Sequence, residues 1–330
     1  MKTTRREFLE AAAITALGVA AGCRSDPPKF DPRAFRREER SRVAVIEAAK
    51  YETDLVDPIL RGLREFDIAP RGRRIVLKPN IVEFDPAGVI NTHPRVIEAS
   101  AEAFLRLDAS EVIVAEGPGH RRDNEYLLSA SGMADILKER RVRYVDLNFD
   151  AVRALPLRSR YTPLKQLYFP RTVLDADLLV SMPKLKTHHW VGVTLSMKNL
   201  FGIIPSSIYG WPKNVLHWAG IENSIVDINS TLPVSRFALV DGIIGMEGNG
   251  PIQGDAKAAG VLVMGADFAA VDATCARLMR LDPTKIEYLA WAGEFLGNID
   301  ENRIDQIGVA PSIVQREFKV LPQFDRLRIV

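Results

Sequence analysis

The chain has 330 residues, 47% of them hydrophobic and 26% charged, with a formal charge of +2. This is the balance of a globular protein with a sizeable core rather than of a disordered or fibrous one. Lys2, Arg5, Arg6 and Arg24 against Glu7 and Glu10 account for the whole excess, leaving 40 of the 44 basic and 40 of the 42 acidic side chains in the rest of the chain. An even balance argues against nucleic acid as a partner and makes any positive site a local feature.

Residues 1–23 combine paired arginines with a weakly hydrophobic run too short to span a bilayer core, the pattern of a twin-arginine signal peptide. "VAAGC" ending at Cys23 is similar to a lipoprotein processing site, with Ala20 where such sites carry a larger aliphatic residue; cleavage at the alanines without a lipid is the alternative. The expectation is export by the twin-arginine machinery to a periplasmic or membrane-attached lipoprotein location. Residues 24–42, rich in proline and charge, read as a tether, and residues 43–330 as a single domain.

Beyond residue 42, short β-branched runs alternate with stretches of helical periodicity. Strand-like runs begin at 43 ("VAVI"), 74 ("RIVLKPN"), 111 ("EVIVAEG"), 142 ("VRYVDLN"), 177 ("DLLVSMPK"), 236 ("RFALVDG") and 260 ("GVLVMGAD"). Helical candidates include "DLVDPILRGLREF", "HPRVIEASAEAFLRL", "NEYLLSASGMADILKER" and "FAAVDATCARLMRL". This alternation, with strands apolar on both faces, predicts an α/β fold with a mostly parallel sheet and helices on both faces. Several strand runs end in polar groups, among them Lys78, Asn80, Glu116, Lys184 and Asp241. Ligands of open α/β sheets bind beyond the carboxyl ends of the strands, so these endings are where a site is expected.

Residues 181–202, "SMPKLKTHHWVGVTLSMKNLFG", place Lys184, Lys186 and Lys198 with His188 and His189 among apolar neighbours. An unpaired buried ammonium costs several kcal/mol or shifts its pKa, so these lysines need carboxylates, a bound anion or an escape to solvent. As a strand, the segment would aim Lys186, His188, Thr194 and Lys198 one way; a helix from 194 to 201 competes for its second half. The two adjacent histidines would face opposite sides of a strand. Residues 241–255, "DGIIGMEGNGPIQGD", hold five glycines after a strand and bring Asp241, Glu247 and Asp255, groups able to take a divalent metal or to move a proton. Neither a dinucleotide fingerprint nor a P-loop is present. Cys275 falls on the apolar face of a predicted helix and reads as an inert buried thiol, and two cysteines cannot supply an intrinsic iron-sulfur cluster.

The blocks "VLKPNIV", "NTHPRVIEA", "VIVAEGPG", "LVSMPKLKTHHWVGVTLSMKNLFG", "LVDGIIGMEGNGPIQGD" and "GADFAAVDATCARLM" occur in this order, and over about residues 43–295 the chain resembles the bacterial and archaeal family called domain of unknown function 362. That resemblance implies no assigned reaction. Many relatives carry ferredoxin-like modules, which implies redox or cofactor-related work, whereas this chain lacks the cysteines. The leading expectation is an exported enzyme acting on a small anionic molecule. His188, Lys198, Asp241 and Glu247 are its candidate catalytic residues, and Lys78, Asn80, His93, Lys184, Lys186, Asn199, Gly248, Asn249 and Gly250 its candidate binding residues. The competing readings are a non-catalytic envelope binding protein and a redox accessory served by an iron-sulfur electron-transfer protein.

Overall fold

A computed structural model of the chain describes residues 28–119 and 123–329. The signal-peptide and lipoprotein readings of residues 1–23 lie outside the described residues, as does His120. Among the described residues are twelve strands, ten of them in one large sheet: β1 (Ser41–Glu47), β2 (Arg74–Pro79), β3 (Glu111–Glu116), β4 (Arg143–Asp146), β5 (Val152–Pro156), β6 (Gln166–Pro170), β7 (Leu178–Met182), β8 (Lys184–His188), β9 (Gly192–Thr194), β10 (Arg236–Asn249), β11 (Gln253–Gly265) and β12 (Ile304–Gly308). The order is β12-β1-β11-β10-β7-β2-β3-β4, with β5 and β6 forming a separate hairpin. All neighbours along that order are parallel except those of β11, which runs antiparallel to β1 and β10.

Helices cover both faces. On one face lie α1 (Val56–Arg64), α2 (Pro94–Arg106) and α3 (Met133–Glu139), whose Ile59, Val96 and Met133 join Ile75, Val114 and Leu262 of the sheet in one core. A second, larger core forms on the opposite face. Its helices are α4 (Ser196–Asn199), α5 (Asn214–Trp218), α6 (Ile221–Thr231), α7 (Phe268–Leu278) and α8 (Glu287–Phe295). Strand residues that alternate between two buried faces must be apolar at almost every position, which is why β2, β7 and β10 read as continuous hydrophobic runs.

Three details differ from the sequence expectation. The predicted helix over 124–140 is broken at Gly132, whose φ of +73° suits a residue without a Cβ. The tether over 24–42 is held against the body from Phe30 on. Phe30 stacks on Phe295 at 4.0 Å and Phe35 meets the same ring edge-on at 4.7 Å; Arg40 pairs with Asp305, and β1 begins at Ser41. Two aromatic side chains on this arm bury apolar area that a solvated linker lacks. Lastly, the first half of residues 184–201 is an antiparallel hairpin of β8 and β9 in place of one extended strand, whereas the second half is helical, in line with the competing helix expected over 194–201: α4 is followed by a 3-10 turn over Leu200–Ile203.

Pro183 divides β7 from β8. The break lets β7 pair with the start of β10 while β8 continues along the same strand, with Lys184 opposite Asp241 and Lys186 opposite Met246. β10 and β11 are long enough to leave the sheet as a protruding hairpin. The hairpin and the residues following β8 thus wall off a space beyond the carboxyl ends of β2, β3 and β7.

Candidate functional site

That space is a cavity of about 220 Å³. Lys78 and Asn80 reach it from the end of β2 and Glu116 from the end of β3. Lys186 and His188 come from β8, Thr194 from β9, Lys198 and Asn199 from α4, and Lys213 and His217 from the region of α5. Trp190, Phe201 and Ile252 supply apolar walls. Among the described residues, four lysine amines therefore share the cavity with one carboxylate.

How each lysine's three N–H donors are used separates their roles. Lys78 is fully buried, and its Nζ donates to Glu116 Oε2 at 2.7 Å, to the Pro79 carbonyl at 2.7 Å and to Asn199 Oδ1 at 3.2 Å. Glu116 also accepts from the backbone N–H groups of Ile81 and Gly117. Burial lowers the Lys78 pKa and the Glu116 charge opposes that shift. Lys213 donates to the carbonyls of Gly117 and Ile204 and to Ser206 Oγ. Burial pushes it down to about 7, yet three oxygen acceptors call for the three N–H groups of the charged form. Lys186 gives two hydrogen bonds, to the carbonyls of Ile90 and Pro251, and none to a carboxylate; burial, with Lys184 and Lys198 adding to it, holds its pKa well below the ordinary value.

Lys198 differs from the other three. Among the described residues its Nζ is in no hydrogen bond or ion pair and lies over the Phe201 ring, 4.5 Å from the centroid. Burial brings its pKa down to about 8, Lys78 adds to the shift, and Glu222 opposes it. The one-turn helix α4 that carries it is anchored at its start by Asp272 of α7, whose carboxylate accepts from the backbone of Ser196 at 2.7 Å and Met197 at 3.0 Å. Asp272 is itself fully buried, which pushes its pKa up to about 7.

His188 is buried, and its Nδ1 accepts from the Trp190 backbone N–H at 3.0 Å. Burial holds its pKa well below the usual imidazole range, with the Lys198 charge next in effect. A neutral ring whose Nδ1 is an acceptor carries its proton on Nε2, so the donor that His188 retains is Nε2–H. His217 is placed the other way: its Nδ1 lies 3.0 Å from the Lys213 carbonyl, which can only accept. Two further buried atoms of the lining, Asn80 Oδ1 and Thr194 Oγ1, have no hydrogen-bond partner among the described residues. Buried polar atoms are rarely left so, and these two are where a water or a ligand in the cavity would find a partner.

Glycine keeps the centre open. A Cβ at Gly202 would strike Glu116 Oε1 and come within 2.6 Å of Lys78 Nζ, and one at Gly117 would lie 2.7 Å from the Gly202 carbonyl. This is the physical reason for a glycine at the end of "SMKNLFG".

The structure thus gathers Lys78, Asn80, Lys186, His188, Lys198 and Asn199 into one cavity. The other predicted residues lie elsewhere. Lys184 pairs with Asp241 at 2.7 Å and donates to Tyr51 Oη at 2.9 Å. Asp241 additionally accepts from Tyr51 and from the His93 backbone N–H, so its oxygens are occupied. His93 caps α2, its Nδ1 accepting from the Arg95 N–H, and stacks on Tyr51 at 3.7 Å. This cluster borders a separate cavity, beyond the loop over residues 80–93. Glu247 faces Lys257 and Lys319 on the protruding hairpin. Gly248, at φ +84°, shapes the hairpin's turn, Gly250 lies against the Thr187 backbone, and Asn249 is exposed and bonded to Gln253. Asp241 and Glu247, groups able to take a divalent metal, do not come together, and each carboxylate is paired with lysine. Among the described residues no group of three or more His, Cys, Asp or Glu could hold a metal ion. Asn199 reaches the cavity, but its amide is spent on the Lys78 carbonyl, Ser181 and Lys78 Nζ; it positions rather than binds. Glu116, Thr194, Lys213 and His217 were not predicted as site residues.

The profile of the family described as domain of unknown function 362 matches residues 75–277, a span that contains the whole lining. A thylakoid-associated protein of Synechocystis sp. is 27% identical over 272 residues, 77% of this chain and 79% of that protein. Two solved structures are similar over part of the chain. A Thermotoga maritima protein is 15% identical with a TM-score of 0.38, over 70% of this chain and 59% of that one. The lactate racemase apoprotein of Thermoanaerobacterium thermosaccharolyticum is 16% identical with a TM-score of 0.41, over 74% and 58%. The chain thus spans less than three-fifths of either solved chain.

Proposed function

The chain belongs to the domain of unknown function 362 family, and from that premise we propose that it is an exported enzyme whose substrate is a small anion held in the lysine-rich cavity. The observation that carries this reading is the imbalance of basic over acidic groups in the lining: among the described residues Lys78, Lys186, Lys198 and Lys213 share the cavity with the carboxylate of Glu116, which is already engaged by Lys78. A dry pocket with surplus cations is expensive to fold and is relieved by a bound anion. Lys78 and Lys213, saturated by protein acceptors, supply field without direct contact. Lys198, His188 through Nε2–H and the Thr194 hydroxyl have donors to give. Fixed donors of this kind stabilise negative charge that develops during a reaction, and need no reorganisation to do so.

Export rests on the paired arginines and the short apolar run of residues 1–23, which would make the twin-arginine machinery a partner and residues 43–330 the working domain. No helix of the described residues is long and apolar enough to cross a membrane. A thylakoid-associated relative is in keeping with a place at a membrane surface.

Adding oxalate or inorganic phosphate while following the melting temperature tests the anion reading. Binding to the folded state alone raises the melting temperature by mass action. The rise should be smaller in Lys198→Met and should fade as pH rises through about 8, where Lys198 loses its proton. No rise with either anion would overturn the reading. Conversion of a supplied small acid, followed by NMR, separates an enzyme from a carrier that returns its ligand unchanged.

A further inference from the structure

Lys198 is the amine of this cavity that has no protein oxygen to satisfy, and its surroundings suit a neutral nucleophile as well as a cation. We propose that the substrate is a small acid bearing a carbonyl next to its carboxylate, and that Lys198 captures it as an imine. This deepens the anion reading of the same site and rests on it.

The argument is one of division of labour. Lys78 and Lys213 each have three oxygen acceptors and stay as fixed charges, and Lys186 is tied by two carbonyls. To attack a carbonyl carbon, any of these would first break its hydrogen bonds. Lys198 breaks none, because among the described residues its nitrogen is in no hydrogen bond or ion pair and lies over the Phe201 ring. The charged and titratable groups around it among the described residues are Lys78 and Glu116 at the strand ends, Lys186 and His188 on β8, His189 just after it, Lys213 and His217 by α5, and Glu222 on α6. Most of them are basic, and a crowd of cations in an apolar setting favours a neutral amine. Two unpartnered acceptor atoms, Asn80 Oδ1 and Thr194 Oγ1, line the same space and suit the hydroxyl group that appears when an amine adds to a carbonyl.

The chemistry closes without a further reactant. The Lys198 nitrogen lone pair forms the N–C bond while the carbonyl π pair moves to oxygen, which takes a proton. Both amine hydrogens end on that oxygen, which departs as water and leaves C=N. Nothing is oxidised or reduced.

Glyoxylate is a suitable probe, being an aldehyde acid small enough for the cavity. Incubation of the full chain with glyoxylate and borohydride should reduce the imine to carboxymethyl-lysine, located by peptide mass spectrometry. At neutral pH, labelling of Lys198 should exceed that of exposed lysines such as Lys50 and Lys138 on the order of a hundredfold, in line with its larger neutral fraction. The rate should climb with pH and level off above about 8, and oxalate, which lacks an electrophilic carbonyl, should protect. Lys198→Arg keeps the charge and should abolish the label while retaining oxalate binding. Labelling of Lys198 no faster than of the exposed lysines overturns the imine. If oxalate still raises the melting temperature in that case, the anion reading stands; if it does not, both fall.

Discussion

Replacing Lys198 with Met should make the protein more stable while weakening its hold on anions. The wild-type amine has a pKa of about 8 in place of 10.5, chiefly through burial. Below pH 8 it is charged in folded and unfolded chains alike, and the folded state carries the desolvation cost. At about 1.4 kcal/mol per pH unit between the two values, that cost is ~3 kcal/mol. The Phe201 ring, 4.5 Å from Nζ, returns about 0.5–1 kcal/mol. Met has a similar length and no charge, so the variant should gain about 2 kcal/mol at neutral pH. The sign of the pH dependence follows from the lowered pKa. Between pH 8 and 10.5 the unfolded chain binds more protons than the folded one, so wild-type stability rises through that window and the advantage of Met disappears above it. Urea unfolding of both proteins near pH 7 and above pH 10.5 measures this. A variant less stable than wild type at pH 7, or a difference indifferent to pH, would refute the reasoning and return Lys198 to a structural role.

Gly202→Ala should cost about 2–4 kcal/mol in urea unfolding, because its methyl group collides with the buried Lys78–Glu116 pair; a change below 1 kcal/mol would show that the pair can move aside. Lys78→Met and Glu116→Gln should each destabilise by roughly 3–5 kcal/mol, since each leaves the other partner buried alone, and the double variant should lose less than the sum. Additive losses in that cycle would mean that the two side chains are not coupled. Changing Arg5 and Arg6 together to Lys should stop export, as judged by fractionation, and normal export of that variant would contradict the twin-arginine reading of residues 1–23.

Much of the fold was legible because it depends on local pattern. Strands buried on both faces leave apolar runs, and β2, β3, β7, β10 and β11 stand where those runs stand. The β5–β6 hairpin is less legible: β5 has no fully buried residue, and β6, which puts Leu167 and Phe169 in the core, is only five residues long. The site was half legible. Lysines inside apolar sequence announce a buried cationic feature, and Lys78, Lys186 and Lys198 do meet. What the sequence could not show is that two such features exist. Lys184 is only two residues from Lys186, yet it pairs with Asp241 behind the 80–93 loop. Alternation along a strand says which face a side chain takes, and nothing about a loop that divides that face. Lys213 was invisible for another reason: it adopts φ +67° in the turn before α5, a conformation that no neighbouring residue type announces. Glu116 stands at a strand ending in the sequence, and the need of a buried Lys78 for a carboxylate is the signal that points to it.

Calorimetric titration of the native protein with oxalate and with its uncharged diamide, oxamide, tests the convergence of cations most directly. Oxalate should bind once per chain, more weakly at high pH and in Lys198→Met, and oxamide should not bind detectably. Equal binding of the two, or binding of neither, would contradict a cavity built to hold negative charge.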